Sequence, residues 1–91
     1  MPPTYAKKKD ANHDQIKAVF LANCLVVEDA FWIGRGWPDL VVLTRGGLVR
    51  FIEIKSSASA KLTPDEQEFK RRWPSRYFVV RTEEEAHDVC Y

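Results

Sequence analysis

Asp39, Glu53 and Lys55 carry charge where a small chain should be apolar. Asp39 follows Pro38 and opens the run DLVVLT at 39–44, while Glu53 and Lys55 interrupt the isoleucines of LVRFIEIK at 48–55. Burying a charge is costly unless it is paired or binds a metal, so core packing gives no reason for these residues. Two carboxylates completed by waters suit a hard cation such as magnesium or manganese. Such an ion lowers the pKa of a bound water and stabilises charge on a phosphodiester. Lys55 could then orient or deprotonate the attacking water, or contact the phosphate. Glu53 and Lys55 alone read more simply as a salt-bridged surface pair. Their strand context and Asp39 shift the reading toward chemistry.

This chemistry needs the three side chains on one face of a sheet. Strand side chains alternate, so Glu53 and Lys55 share a face and Ile52 and Ile54 take the other. The face of Asp39 depends on the turn between the runs. A two-residue turn at Gly46–Gly47 would pair Asp39 with Ile54, on the wrong face. A three-residue loop, Arg45–Gly46–Gly47, pairs it with Glu53, and such loops commonly place glycine at a left-handed position. The proposed site therefore requires the odd loop or a bulge.

The remaining elements follow from periodicity and punctuation. Residues 10–23 predict a helix with Ile16, Val19, Phe20 and Asn23 on one face, started by Asp10 or Asn12. Residues 24–29 are a short strand candidate, and 31–38 are a loop rich in aromatics and glycine. Residues 56–61 are small and polar. The helix at 63–73 has a clear start, with Thr63 as cap, Pro64 in the first turn and Glu66 completing a capping box; Pro74 ends it. A last core strand at 77–80 precedes a final helix at 82–90, where Thr82 and Glu85 form a second box. The order is helix, three strands, helix, strand, helix, an α/β mixed sheet flanked by helices.

Ninety-one residues make one domain with a small core, which dimerisation would help. The formal net charge of +1 lacks a whole-chain basic signature, but the charge is clustered. Lys7, Lys8 and Lys9 form one basic run, Lys70, Arg71, Arg72 and Arg76 another, and Glu83, Glu84 and Glu85 an acidic one. Local basic patches steer phosphates even when net charge cancels. Residues 1–9 read as a disordered basic arm before a single domain at 10–91. Cys24 and Cys90 match no zinc or redox spacing and read as buried thiols in a reducing cytosol. No apolar run is long enough to span a membrane and no signal-peptide core is present, so a cytoplasmic location is expected. His13 and His87 read as surface residues, His13 being placed to contact a substrate. Trp32 and Trp37 could be core or could stack on unpaired bases, Trp32 being the better core candidate.

Pro38-Asp39 followed by Glu53-Ile54-Lys55 matches the PD-(D/E)xK nuclease pattern. The chain most resembles the virus-type replication-repair nuclease (VRR-NUC) domain in its stand-alone phage and bacterial form. The resemblance also runs through Asp10–Asn12, the glycine-rich loop before Pro38, Lys61–Phe69, Trp73 and Val79–Ala86. It implies a restriction-endonuclease-like fold, magnesium- or manganese-dependent cleavage of DNA, a homodimer, and branched substrates such as Holliday junctions in DNA repair. Carried over by residue, Asp39 and Glu53 become metal ligands and Lys55 the catalytic lysine. Gln67 corresponds to the family's glutamine on the second helix, beside the site. Lys7, Lys8, Lys9, Arg35, Lys61, Lys70 and Arg71 are the expected DNA contacts.

One position departs from the family pattern. Gln15 stands where relatives carry a glutamate on the first helix. Its amide oxygen could still coordinate the metal without adding charge. Gln15 is then an introduced change, or a natural one with Asp14 or Asp10 taking the role, or a sign that the helix acid is not needed. Besides the endonuclease, two readings stay open: a catalytically inert DNA-binding module on the same basic surface, and an interaction domain in which Glu53 and Lys55 are merely structural.

Overall fold

The computed structural model describes residues 9–91. Lys7 and Lys8, and nearly all of the expected basic arm, lie outside the described residues. The elements in chain order are α1 (His13–Asn23), β1 (Val26–Asp29), a 3-10 turn (Phe31–Ile33), β2 (Leu40–Leu43), β3 (Val49–Ile54), α2 (Pro64–Arg72), β4 (Tyr77–Val80) and α3 (Glu83–Cys90). The strands form one sheet in the order β1-β2-β3-β4, antiparallel except for the parallel β3–β4 pair. The chain crosses from β3 to β4 through α2, because parallel neighbours cannot be joined by a tight turn. Among the described residues no helix is long and apolar enough to cross a membrane.

One face of the sheet holds the apolar core. Leu40, Val42, Ile52, Ile54 and Val80 pack there against Ile16 and Phe20 of α1 and Ala86 and Cys90 of α3. The buried stripe of α1 is His13, Ile16 and Phe20, at spacings of three and four. Val19 packs only partly, and Asn23 turns back to donate to the Val19 carbonyl at 2.7 Å. Cys24 and Cys90, distant in sequence, bring their Sγ atoms within 3.8 Å where α1 and α3 end, and both are free thiols.

The opposite face is aromatic. Phe69 of α2 rests on Phe51 of β3 at 5.2 Å between ring centres and on Tyr77 of β4 at 5.9 Å. Both expected capping boxes form: Thr63 and Glu66 exchange hydrogen bonds at the start of α2, and Thr82 and Glu85 at the start of α3. Each side-chain cap stabilises a helix by about 1 kcal/mol. Asn12 occupies the cap position of α1 but makes no capping hydrogen bond. Its amide instead donates to the carbonyls of Lys55 (3.2 Å) and Arg81 (3.1 Å), tying the start of α1 to the ends of β3 and β4.

Candidate active site

The β2–β3 hairpin decides the site. Leu43 pairs with Val49 and Leu40 with Ile52, leaving Arg45, Gly46 and Gly47 as the loop tip. Gly47 is left-handed, with φ +85°, and its N–H donates to the Thr44 carbonyl. The odd loop therefore forms, and continuing the register one step places Asp39 opposite Glu53. Opposed residues of an antiparallel pair have Cβ atoms roughly 5 Å apart. Both carboxylates are 1% exposed. Asp39 is further fixed by the Ile54 N–H, which donates to its Oδ2 at 2.7 Å.

Lys55 extends from the end of β3 on the same face. Its Nζ lies 3.7 Å from Glu53 Oε2 and 2.9 Å from Glu66 Oε1. Glu66 is buried, and the same Oε1 also accepts the Thr63 N–H. The capping glutamate of α2 is thus also a partner of the lysine, a role hidden in the sequence behind its evident use as a cap. Gln67, one residue on and about 100° around the helix, is exposed and donates its amide to the Leu62 carbonyl at 3.1 Å. The second-helix residue brought to Lys55 is therefore Glu66 and not Gln67.

The first helix also differs from expectation. His13 is 1% exposed, not a surface residue. Its Nε2 is 3.5 Å from Asp29 Oδ1 and its Nδ1 is 3.9 Å from Asp39 Oδ1, and its ring meets Phe31 edge-on at 5.3 Å. Gln15 is two residues further, about 200° around the helix from His13, and is exposed. The α1 side chain beside Asp39 is thus His13, not Gln15. Asp14 is exposed and pairs with Lys9 at 3.3 Å, and Asp10 accepts from the Ser56 hydroxyl at 3.3 Å. The one available cue to His13 was its i, i+3 spacing to Ile16.

Asp29 is held below the usual carboxylate range. Burial pushes it upward, but Lys17, at 2.6 Å, and His13 outweigh that effect. Tyr77 is pushed well above its ordinary value, first by burial and then by the charges of Glu53, Glu66 and Asp39. Its hydroxyl is buried without a hydrogen-bond partner. The two shifts have different origins: cations beside Asp29, and burial with neighbouring carboxylates at Tyr77.

The chemistry of the donors fits a hard cation: buried oxygens on facing strands, in a region that disfavours uncompensated negative charge. Among the described residues no three His, Cys, Asp or Glu side chains group as a metal centre. Asp39 and Glu53 would supply the protein ligands, with water completing the shell.

The expected DNA contacts are spread around this end and along α2. Lys61 and Lys70 are exposed. Arg35 is exposed in a left-handed conformation, φ +56°, between Gly34 and Gly36. Arg71 is engaged by Glu68 at 2.8 Å. Lys9 stands against the body of the protein, its Nζ 5.0 Å from the centre of the Phe31 ring. Trp32 is half exposed and is not core; Trp37 is the better packed, 5.2 Å from Phe69. The loop that carries Trp37 closes against α2 at Gly36, where a Cβ would lie 2.4 Å from the Asp65 carbonyl oxygen.

No family model and no curated protein matches the chain. A solved structure described as a VRR_NUC domain does, with a TM-score of 0.65 and 25% sequence identity over 88% of this chain and 95% of that chain. The chain has the VRR-NUC domain fold, a mixed sheet flanked by helices of the restriction-endonuclease-like kind.

Proposed function

We propose that this protein is a magnesium- or manganese-dependent endonuclease that hydrolyses DNA phosphodiester bonds, with branched DNA as its preferred substrate. The observation that carries the reading is the hairpin register, which sets Asp39 against Glu53 and leaves Lys55 3.7 Å from the Glu53 carboxylate in a chain of VRR-NUC fold. A bound cation would supply an acidified water and charge stabilisation at the phosphate. Asp39 and Glu53 would hold that ion, and the backbone N–H of Ile54 keeps Asp39 aimed. Lys55, held between Glu53 and Glu66, stands where it can orient a water or meet a phosphate oxygen. Exposed Lys61 and Lys70 would hold the strand. Branched DNA and a homodimer rest on the resemblance and on the gain a chain this short makes by burying more surface; two sites in a dimer would cut two strands symmetrically.

The test is cleavage with manganese across Holliday junction, flap, splayed-arm and linear duplex DNA, run beside Asp39→Asn and Lys55→Ala. Both variants are expected to lose cleavage while retaining most DNA binding. Unchanged cutting by either removes the site. Binding without cutting by the unmodified protein identifies an inert DNA-binding module.

A further inference from the structure

A second feature shares the sheet face that bears Glu53 and Lys55. Four aromatic rings run across it in contact: Trp37 on Phe69 at 5.2 Å, Phe69 on Phe51 at 5.2 Å, and Phe51 on Trp73 at 5.2 Å. Trp37 is two residues before Asp39, so one end of the row lies beside the carboxylates. The other end opens into a groove of about 370 Å³ lined by Gly47, Val49, Phe51, Trp73 and Arg76. That volume is in the range of pockets that hold small planar ligands.

The inner rings are more covered than the two terminal tryptophans, of which Trp37 is 37% exposed. Phe69 is 2% exposed, whereas Trp73, just past the end of α2, is 45% exposed. A large aromatic left open in a concave site offers a stacking surface. Cations accompany the row: the Arg72 guanidinium lies 5.2 Å from the Phe69 ring centre, and Arg76 enters the groove itself. None of the lining residues is acidic. Among the described residues the Arg76 side chain makes no hydrogen bond or ion pair, although its backbone binds Phe51 and Trp73. An aromatic face beside an available guanidinium suits a ligand that is a flat ring at one end and an anion at the other.

We propose that this groove binds an unpaired nucleobase of the DNA substrate, stacked on Trp73, with an adjoining phosphate on Arg76. The inference rests on the nuclease reading for its choice of ligand. Two features favour an unpaired nucleotide over other occupants. In a duplex both faces of a base are already stacked, so Trp73 can be met only by a base out of the helix. A second copy of the chain covering the groove would bury the Arg76 charge, which is costly without a partner. The groove is also well placed. Phe51 is two residues from Glu53 and four from Lys55 on the same face of β3, or roughly 7 and 13 Å along the strand. Groove and carboxylates thus lie within a few nucleotides of each other, and the groove would select DNA with unpaired nucleotides next to the cut.

The experiment uses the full chain in EDTA, so that cleavage plays no part. A short oligothymidine and a blunt duplex of equal length are titrated against the unmodified protein, Trp73→Ala, Trp73→Phe and Arg76→Gln. Expected is a loss of about 10-fold or more in single-strand affinity for Trp73→Ala, the effect of one lost stack, with less than 3-fold change for the duplex. Trp73→Phe should recover most of the loss, and Arg76→Gln should flatten the salt dependence of single-strand binding. Equal losses on both DNAs, or no loss on either, overturn the proposal. So does a change in sedimentation of Trp73→Ala, which would assign the groove to contact between copies. Because no metal is present, single-strand selectivity in a protein that never cuts would uphold the groove and sink only the endonuclease reading.

Discussion

Strand β3 presents two different environments from neighbouring residues. Ile52 and Ile54 point into a face closed by α1 and α3, where they pack with Leu40, Val42 and Val80 against Ile16, Phe20, Ala86 and Cys90. Phe51, Glu53 and Lys55 point the other way, toward α2. There the aromatic packing gives way, within a few residues, to buried carboxylates and an ammonium. The first face is where stability is made, since burying an aliphatic side chain is worth roughly 1.5–3 kcal/mol. The second holds Asp39, Glu53 and Glu66 at a cost, since burying a carboxylate takes it out of water and only its partners offset that loss. A chain this small keeps such an arrangement only alongside an ordinary core directly behind it.

The contrast breaks most sharply if the two faces are mutated in parallel. Ile54→Ala should lower stability by about 2–5 kcal/mol, a large share of the roughly 5–15 kcal/mol available to a domain, and urea denaturation reads it. Glu53→Gln, one residue away and equally buried, should leave the urea midpoint unchanged or raise it while removing cleavage. Loss of stability in both variants would mean that the carboxylate face is structural.

A smaller effect separates the two roles of Glu66. Glu66→Gln keeps an oxygen for the Thr63 N–H, because glutamine serves a capping box as well as glutamate. The melting temperature should therefore hold, while cleavage falls by roughly 10-fold or more through weaker anchoring of Lys55. Gln67→Ala should change stability by no more than about 0.5 kcal/mol, the ordinary range for surface positions, and leave the rate alone. Equal rates for Glu66→Gln and the unmodified protein would reduce Glu66 to a cap.

The smallest expected effect belongs to the apolar face. Burial, and then contact with Cys24, pushes the Cys90 thiol up to about 12, Arg50 opposing. An unfolded thiol ionises near pH ~8.5. Below that pH the contribution to stability is complete. Above it the unfolded chain releases a proton that the folded chain keeps, so stability declines as pH rises toward 12. Thermal midpoints at pH 8 and pH 10 should therefore converge slightly in Cys90→Ala relative to the unmodified protein, and an unaltered difference would contradict the shift.

Most of the fold was legible because its signals are local. Two capping boxes, the glycines at Gly46–Gly47 and the alternation along β3 each constrain a few adjacent residues, but those glycines allow a two- or a three-residue turn, and only the pairing of Leu43 with Val49 selects the register that opposes Asp39 and Glu53. The less legible features depend on rotation and on distant segments. Whether Glu66 or Gln67 faces Lys55 is a matter of 100° about α2, and its sequence supports either. His13 reads as a polar residue near a helix start. Its burial follows from Asp29, Asp39 and Phe31 closing around it, which no local pattern announces. Cys24 and Cys90 are neighbours only because α1 and α3 end together.

The contact at Gly36 divides the freedom to vary unevenly between its two partners. On the α2 side the touching atoms are the backbone carbonyl and Cβ of Asp65, which almost any residue would present identically. On the loop side the missing atom belongs to glycine alone, and the backbone there is left-handed as well, φ +82°. Drift at position 65 would therefore leave the loop and helix undisturbed, while a single methyl at 36 would separate the segment leading into Asp39 from the first turn that carries Glu66. The spacing between strand acid and helix acid is thus inherited through one residue, remote from the chemistry and bearing no functional group.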